Sequence, residues 1–265
     1  MTLSQMSVWI AQNTPRPLKS AIHRVQFLDR ALMSVYGALV KDRTMTISDG
    51  PMKGVKLAAS RHTSHAHIHG TYERDVQDAI EKLVRPGDVC YDLGASIGYL
   101  TLLMARKAKH VYAFEPAPHA IAEIKRQLAV NELENVTIIP SPVSDSVREV
   151  RFCLTDVAYG SGISDTVTRW PVLQLETTTL DLFTKDHPLP DFMKMDIEGE
   201  EGRVLDGASE LLMRLKTRIC CELHSREAAE SALGTLRPFG YTVTLLDGSP
   251  ARIPEMMIGE FHILA

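Results

Sequence analysis

The sequence predicts a doubly wound α/β domain: a seven-stranded, mostly parallel sheet with helices on its faces and a helical N-terminal arm. Three observations predict it. From residue 72 onward, stretches with apolar residues at helical spacing alternate with short apolar runs of strand length. The first of those runs passes from β-branched and aromatic residues through Asp92 into a turn bounded by Gly94 and Gly98. The last two runs have no helical stretch between them, so they should close the sheet as an antiparallel hairpin.

Residues 1–60 read as the arm and 61–265 as the domain. The arm holds a turn at Pro15 to Pro17, then an amphipathic helix over 18–40 with Leu18, Ile22, Val25, Leu28, Leu32, Tyr36 and Leu39 on one face. That face suits packing on the domain or on a second copy in a homodimer; contact with a membrane surface is the other reading. A hairpin around Asp49, Gly50 and Pro51 follows. In the domain, a helix over 74–84 buries Val76, Ile80 and Leu83 and stops at Pro86 and Gly87. The first core strand is 89–93, with a helix from 98 to about 107. A second strand, 111–115, ends at Pro116; the next helix, 118–131, carries Ile121, Ile124 and Leu128; a third strand is 136–140.

The alternation then breaks, and 149–180 reads as two short strands around a polar loop that includes Tyr159 and Gly162. A fourth core strand, 192–196, leads to a helix over 200–215, and a fifth, 218–222, to a helix over 226–236. Strands at 241–246 and 261–264 complete the sheet. His65, His67 and His69 alternate as if on one face of an extended segment, a spacing able to hold a metal but read here as exposed edge-strand histidines.

With 45% hydrophobic and 23% charged residues, the chain has the composition of an ordinary globular domain. A net charge of −4 argues against a general phosphate-binding surface, so nucleic acid is not the expected partner. Cys90, Cys153, Cys220 and Cys221 fall mostly in core strands and read as buried reduced thiols. No apolar run approaches the ~20 residues that span a bilayer, and the start lacks the basic-then-apolar order of a secretion signal. The expected location is cytoplasmic.

Open α/β sheets bind ligands beyond the carboxyl ends of their strands, so the strand ends carry the chemistry. At the first, Asp92, Gly94, Ala95, Ser96, Gly98 and Tyr99 form a turn that differs from the dinucleotide fingerprint, since Ser96 and Tyr99 stand where its second and third glycines would be. An acid before this turn would repel a pyrophosphate and would suit the cationic amino group of S-adenosylmethionine. Glu115, ending the second strand before Pro116, is placed to accept the two hydroxyls of a ribose. After the third strand, Pro142 and Val143 form a candidate adenine wall.

The fourth strand ends in Lys194, Asp196 and Glu198, the first two sharing a face. A lysine and an acid at the inner end of a buried strand are costly unless they pair or act. Glu200 and Glu201 read instead as acids favouring the N-terminus of the following helix. Glu222 and His224 share a face at the end of the fifth strand, and His224 is the natural general base. Asp196, Glu198 and His224 either act directly or hold Mg²⁺; no metal site is assigned. There is no G-x-x-x-x-G-K-[ST] loop, no G-x-S-x-G elbow, and no Asn/Asp-Pro-Pro-aromatic end of the kind base amino-methylating enzymes use. What remains is a cofactor with a reactive methyl group facing a pocket lined by carboxylates and a histidine.

These residues resemble the FkbM-type methyltransferases of the class I S-adenosylmethionine-dependent fold. The likeness runs from about Gly70 to His224: Gly70 to Glu73, Tyr91 to Tyr99, Ala113 to Pro116, Val143 to Asp145, Thr179 to Asp181, Lys194 to Gly199 and Glu222 to His224. The resemblance implies O-methylation of a hydroxyl on a sugar, glycolipid or polyketide-like secondary metabolite. It also implies that Tyr72 and Glu73 border the cofactor. Ser96 departs from the family, which usually has asparagine there.

Overall fold

The computed structural model describes residues 42–155, 161–164, 169–214, 217–251 and 261–265. The amphipathic helix expected over 18–40 and much of the 155–170 loop lie outside the described residues. The expected hairpin is present: β1 (Thr44–Thr46) pairs antiparallel with β2 (Lys56–Ala58). It packs into the domain, burying Ile47, Met52, Val55 and Leu57 in one apolar cluster with Val76, Ile80 and Leu103.

His65, His67 and His69 are not on an extended strand but in a short helix, α1 (His65–His69). Ser64 caps it, and His67 completes a capping box by accepting from the Ser64 backbone N–H at 3.1 Å. Helical geometry sends His67 inward while His65 and His69 stack on the exposed side, ring centroids 3.9 Å apart. Burial alone pulls the His67 pKa down to about 4. The three imidazoles therefore do not converge on a metal.

The doubly wound unit follows as expected. Its elements are α2 (Arg74–Leu83), β3 (Val89–Leu93), α3 (Tyr99–Ala105), β4 (His110–Phe114), α4 (Pro118–Asn131) and β5 (Val136–Ile139). On α4, Gln127 is buried more deeply than the expected stripe residue Leu128. The side-chain amide of Gln127 accepts from Ala58 N–H at 2.8 Å and donates to Ala58 O at 3.0 Å, as a neighbouring strand would. This ties the hairpin to the domain.

Between the two halves, β6 (Glu149–Cys153), β7 (Gly162–Ile163) and β8 (Val172–Glu176) form a separate three-stranded antiparallel sheet, one strand more than expected. The chain continues through α5 (Leu180–Phe183), β9 (Phe192–Met195), α6 (Glu201–Asp206), α7 (Ser209–Leu212), β10 (Arg218–Leu223), α8 (Arg226–Leu236), β11 (Thr244–Leu245) and β12 (Phe261–Leu264). The single helix expected over 200–215 is broken in two. Asp181 causes the break: its carboxylate accepts from the backbone N–H groups of Glu210 and Leu211, both at 2.9 Å, and so starts α7 afresh.

The main sheet has the order β11-β12-β10-β9-β3-β4-β5, with only β12 antiparallel to its neighbours. The strand order reverses around β3, which is buried at every residue. A crevice opens beyond the carboxyl ends of β3 and β9, the usual ligand position in this architecture. The four cysteines are free and buried, as expected, and Cys220 and Cys221 serve the apolar clusters on opposite faces. Among the described residues no helix is long and apolar enough to cross a membrane.

Candidate active site

One cavity occupies that crevice. Its walls include Tyr72, Glu73, Gly94, Ala95, Ser96, Tyr99, Glu115, Pro116, Pro142, Val143, Lys194, Asp196 and Glu198. Thus most of the expected site residues meet in one place. Asp92, Gly98, Glu222 and His224 do not line it and stand behind or beside its wall.

The β3 turn is built by backbone. Gly94 has φ +78°, and a Cβ there would lie 1.9 Å from the Asp196 carbonyl oxygen. The glycine is therefore required by the close approach of the chain leaving β9, beyond any approach by a ligand. Ser96 also adopts a positive φ of +50°, a conformation costing a non-glycine residue roughly 1–2 kcal/mol. In that pose its N–H donates to Glu115 Oε2 at 2.8 Å, while Ala117 N–H donates to Glu115 Oε1 at 2.8 Å. Burial pushes the Glu115 pKa up to about 7, with those two N–H donors pulling the other way. Each oxygen keeps a lone pair that can accept from a further donor.

The β9 end is built by charge. Lys194 is buried, and its ammonium donates to Gly94 O at 3.1 Å and to Asp196 Oδ2 at 3.3 Å. It lies 3.7 Å from Asp92 Oδ1. Asp92 is fully buried, accepts from Thr101 Oγ1 at 2.6 Å, and has Lys194 as its nearby cation. The direct contact with a cofactor amino group expected of Asp92 therefore has Lys194 in its place. Burial works against ionising both Lys194 and Asp196, yet their mutual attraction prevails: Lys194 is held above its ordinary range and Asp196 well below the usual carboxylate range.

His224 closes the network from β10. Its Nε2 lies 3.3 Å from Asp196 Oδ1 and 3.9 Å from Glu198 Oε2, and its Nδ1 lies 2.8 Å from Glu201 Oε1. Hydrogen bonds to Asp196 and Glu201 raise its pKa to about 11, outweighing burial. With a carboxylate on each nitrogen, the ring is an imidazolium and has no lone pair to offer. The free general base expected of His224 does not match this arrangement. Glu201, read from sequence as a simple helix-terminus acid, is fully buried against it. No periodicity could have marked Glu201, because an acid in a first helical turn is usually solvated.

Glu222 does not line the cavity either: its carboxylate pairs with His262 Nε2 at 3.1 Å across the antiparallel strand pair. Glu73 holds a positive φ of +42°, and its Oε2 is buried without a hydrogen-bond partner. Burial is the main cause raising its pKa. Glu73 lines the cavity, and a carboxylate there fits a cationic amino group such as that of S-adenosylmethionine. Among the described residues, two sets bring ligand atoms within 4.8 Å of one another, Asp196 with Glu222 and His224, and Glu73 with Glu222 and His262. An ammonium 3.3 Å from Asp196 would repel a divalent ion at the first of these sets. The donor set does not call for a metal.

A family model described as the methyltransferase FkbM domain matches residues 92–243, more than half of the chain. An uncharacterised protein of Methanocaldococcus jannaschii is 38% identical over 82 residues, 30% of this chain and 32% of that protein. A tRNA wybutosine-synthesizing protein 2 homolog of Danio rerio is 35% identical over 99 residues, covering 32% of this chain and 24% of the relative. The 31-O-demethyl-FK506 methyltransferase FkbM of Streptomyces tacrolimicus is 26% identical over 197 residues, 60% of this chain and 75% of that enzyme. The chain spans about a third or less of the length of the first two relatives. The family match begins at Asp92 and runs through the Lys194–Asp196–Glu198 segment to His224 and beyond, and on that ground the chain belongs to the FkbM methyltransferase family.

Proposed function

We propose that this chain transfers the methyl group of S-adenosylmethionine to a hydroxyl oxygen of a small molecule or glycan: a sugar, a glycolipid or a polyketide-like metabolite. The observation that carries the reading is the carboxylate of Asp196, fixed on the cavity wall by Lys194 at 3.3 Å and His224 at 3.3 Å. The cofactor supplies a methyl group on a cationic sulfur. Glu73 would hold the amino group, Glu115 would accept from the ribose hydroxyls, and Val143 would pack against the adenine. Asp196 would accept the hydrogen bond of the acceptor hydroxyl and fix its oxygen, and the hydroxyl proton would leave to a carboxylate, with Glu198 beside Asp196 on the same wall. Alignment supplies most of the rate.

A second reading, methylation of an RNA base, is favoured by likeness to a tRNA (guanine(37)-N(1))-methyltransferase of Pyrococcus abyssi, 30% identical over 69 residues, 26% of this chain. The net charge of −4 and the absence of an Asn/Asp-Pro-Pro-aromatic strand end weigh against it. Incubating the protein with methyl-labelled cofactor and two panels, hydroxylated glycans and polyketides on one side and tRNA and rRNA on the other, separates the readings. Label in an ether linkage of the first panel is expected. Label in RNA alone would overturn the proposal.

A further inference from the structure

Glu201 is an oddity among the acids of this site. Its carboxylate is wholly excluded from solvent, and one oxygen, Oε1, serves three groups. It accepts from Ile197 N–H at 3.3 Å and from Gly199 N–H at 3.0 Å, and it lies 2.8 Å from His224 Nδ1. The other oxygen, Oε2, is buried with no hydrogen-bond partner. A bare buried carboxylate oxygen is costly, and an acid serving only the N-terminus of α6 would do so equally well exposed to water. The segment it grips is itself strained, with Glu198 at φ +57° and Gly199 at φ +104°. Ile197 and Glu198 of that segment line the cavity, and the ring on that nitrogen stands behind its wall against Asp196.

We propose that Glu201 is a positioning residue of the methyl-transfer site: its buried carboxylate holds the His224 ring and the 197–199 segment together, and through them sets the pose of Asp196 and Glu198 toward the acceptor. The proposal rests on the hydroxyl-methylation reading for its kinetic consequence, but not for its effect on His224. The ionisable groups facing His224 are Asp196 and Glu198 from the chain leaving β9, Glu201 from α6, and Glu222 from β10. On α8, Arg226 pairs instead with Glu230 at 2.7 Å. Glu201 is the one of these that touches the side of the ring turned away from Asp196, and it alone also bonds the segment carrying Glu198.

Two variants test this in the full chain. Glu201→Gln keeps an acceptor for the two backbone N–H groups and removes the charge beside His224. In an NMR titration of the His224 ring, its midpoint should fall by about one pH unit or more relative to wild type. Methyl transfer should slow on the order of 10²-fold, the cost of misplacing reacting groups by about 1 Å, with cofactor affinity within about threefold. Glu201→Asp keeps an acid at the start of α6 but withdraws the carboxylate by one methylene; kcat should fall in the same direction. A helix-terminus role would be fully met by aspartate, so wild-type kcat in Glu201→Asp overturns the proposal. An unmoved His224 midpoint in Glu201→Gln overturns it as well. If wild type methylates no hydroxyl, the function reading fails alone, and the titration still judges Glu201.

Discussion

The two ends of the cleft are made of different materials. At the β3 and β4 ends the site is mostly backbone: N–H groups of Ser96 and Ala117 hold Glu115, and Gly94 lets the chain leaving β9 pass within contact. At the β9 and β10 ends it is mostly buried charge, with Lys194, Asp196, His224 and Glu201 linked in series. Backbone sites tolerate side-chain change because the donors persist. Charge sites do not, since removing one member leaves its partner ionised in a poorly solvated place. The first end is suited to gripping a cofactor of fixed shape, the second to orienting a reacting atom.

If that contrast is sound, the largest effect should come from the charged end. Asp196→Asn should slow methyl transfer by about 10²–10⁴-fold while cofactor affinity, measured by calorimetry, changes less than about threefold. A parallel loss of cofactor affinity would erase the distinction between the two ends. Lys194→Met comes next. It strands Asp92 and Asp196 without their shared cation, and denaturant titration should show a loss of about 3–5 kcal/mol, the cost of breaking a buried pair. A change under 1 kcal/mol would mean that water already solvates this network.

At the backbone end, Glu115→Ala should weaken cofactor binding by about 1.5–3 kcal/mol, the range for charge-assisted hydrogen bonds, and leave the rate at saturating cofactor nearly unchanged. A fall in that saturated rate matching Asp196→Asn would blur the comparison. The smallest effect is the pH dependence of His224. Its folded-state pKa, about 11, lies above the ordinary 6.5, so its contribution to stability is full below about pH 6.5 and is lost as pH rises toward 11. The stability gap between wild type and His224→Gln should therefore narrow from pH 6 to pH 10. A constant gap would mean that His224 binds its proton no more tightly in the folded than in the unfolded chain.

The sequence by itself determined the scaffold. The strand Val89–Leu93, the helices Pro118–Asn131 and Arg226–Leu236, and the final strand Phe261–Leu264 lie where apolar period and turn residues put them. Gly94, Ser96, Glu115 and Asp196, picked from the sequence as strand-end residues, all line the cavity because strand ends converge by topology in an open sheet. Those signals are local, carried by the spacing of neighbours along the chain. Only the tertiary structure decided the charges. His65, His67 and His69 alternate as in a strand, yet the cap at Ser64 and the space for a buried His67 beside Tyr72 made them a helix. His224 looked like a free base until Glu201 and Asp196, both on other elements, closed on its two nitrogens. A side chain's period says which face it takes, whereas its protonation is set by burial and by partners brought from elsewhere in the chain.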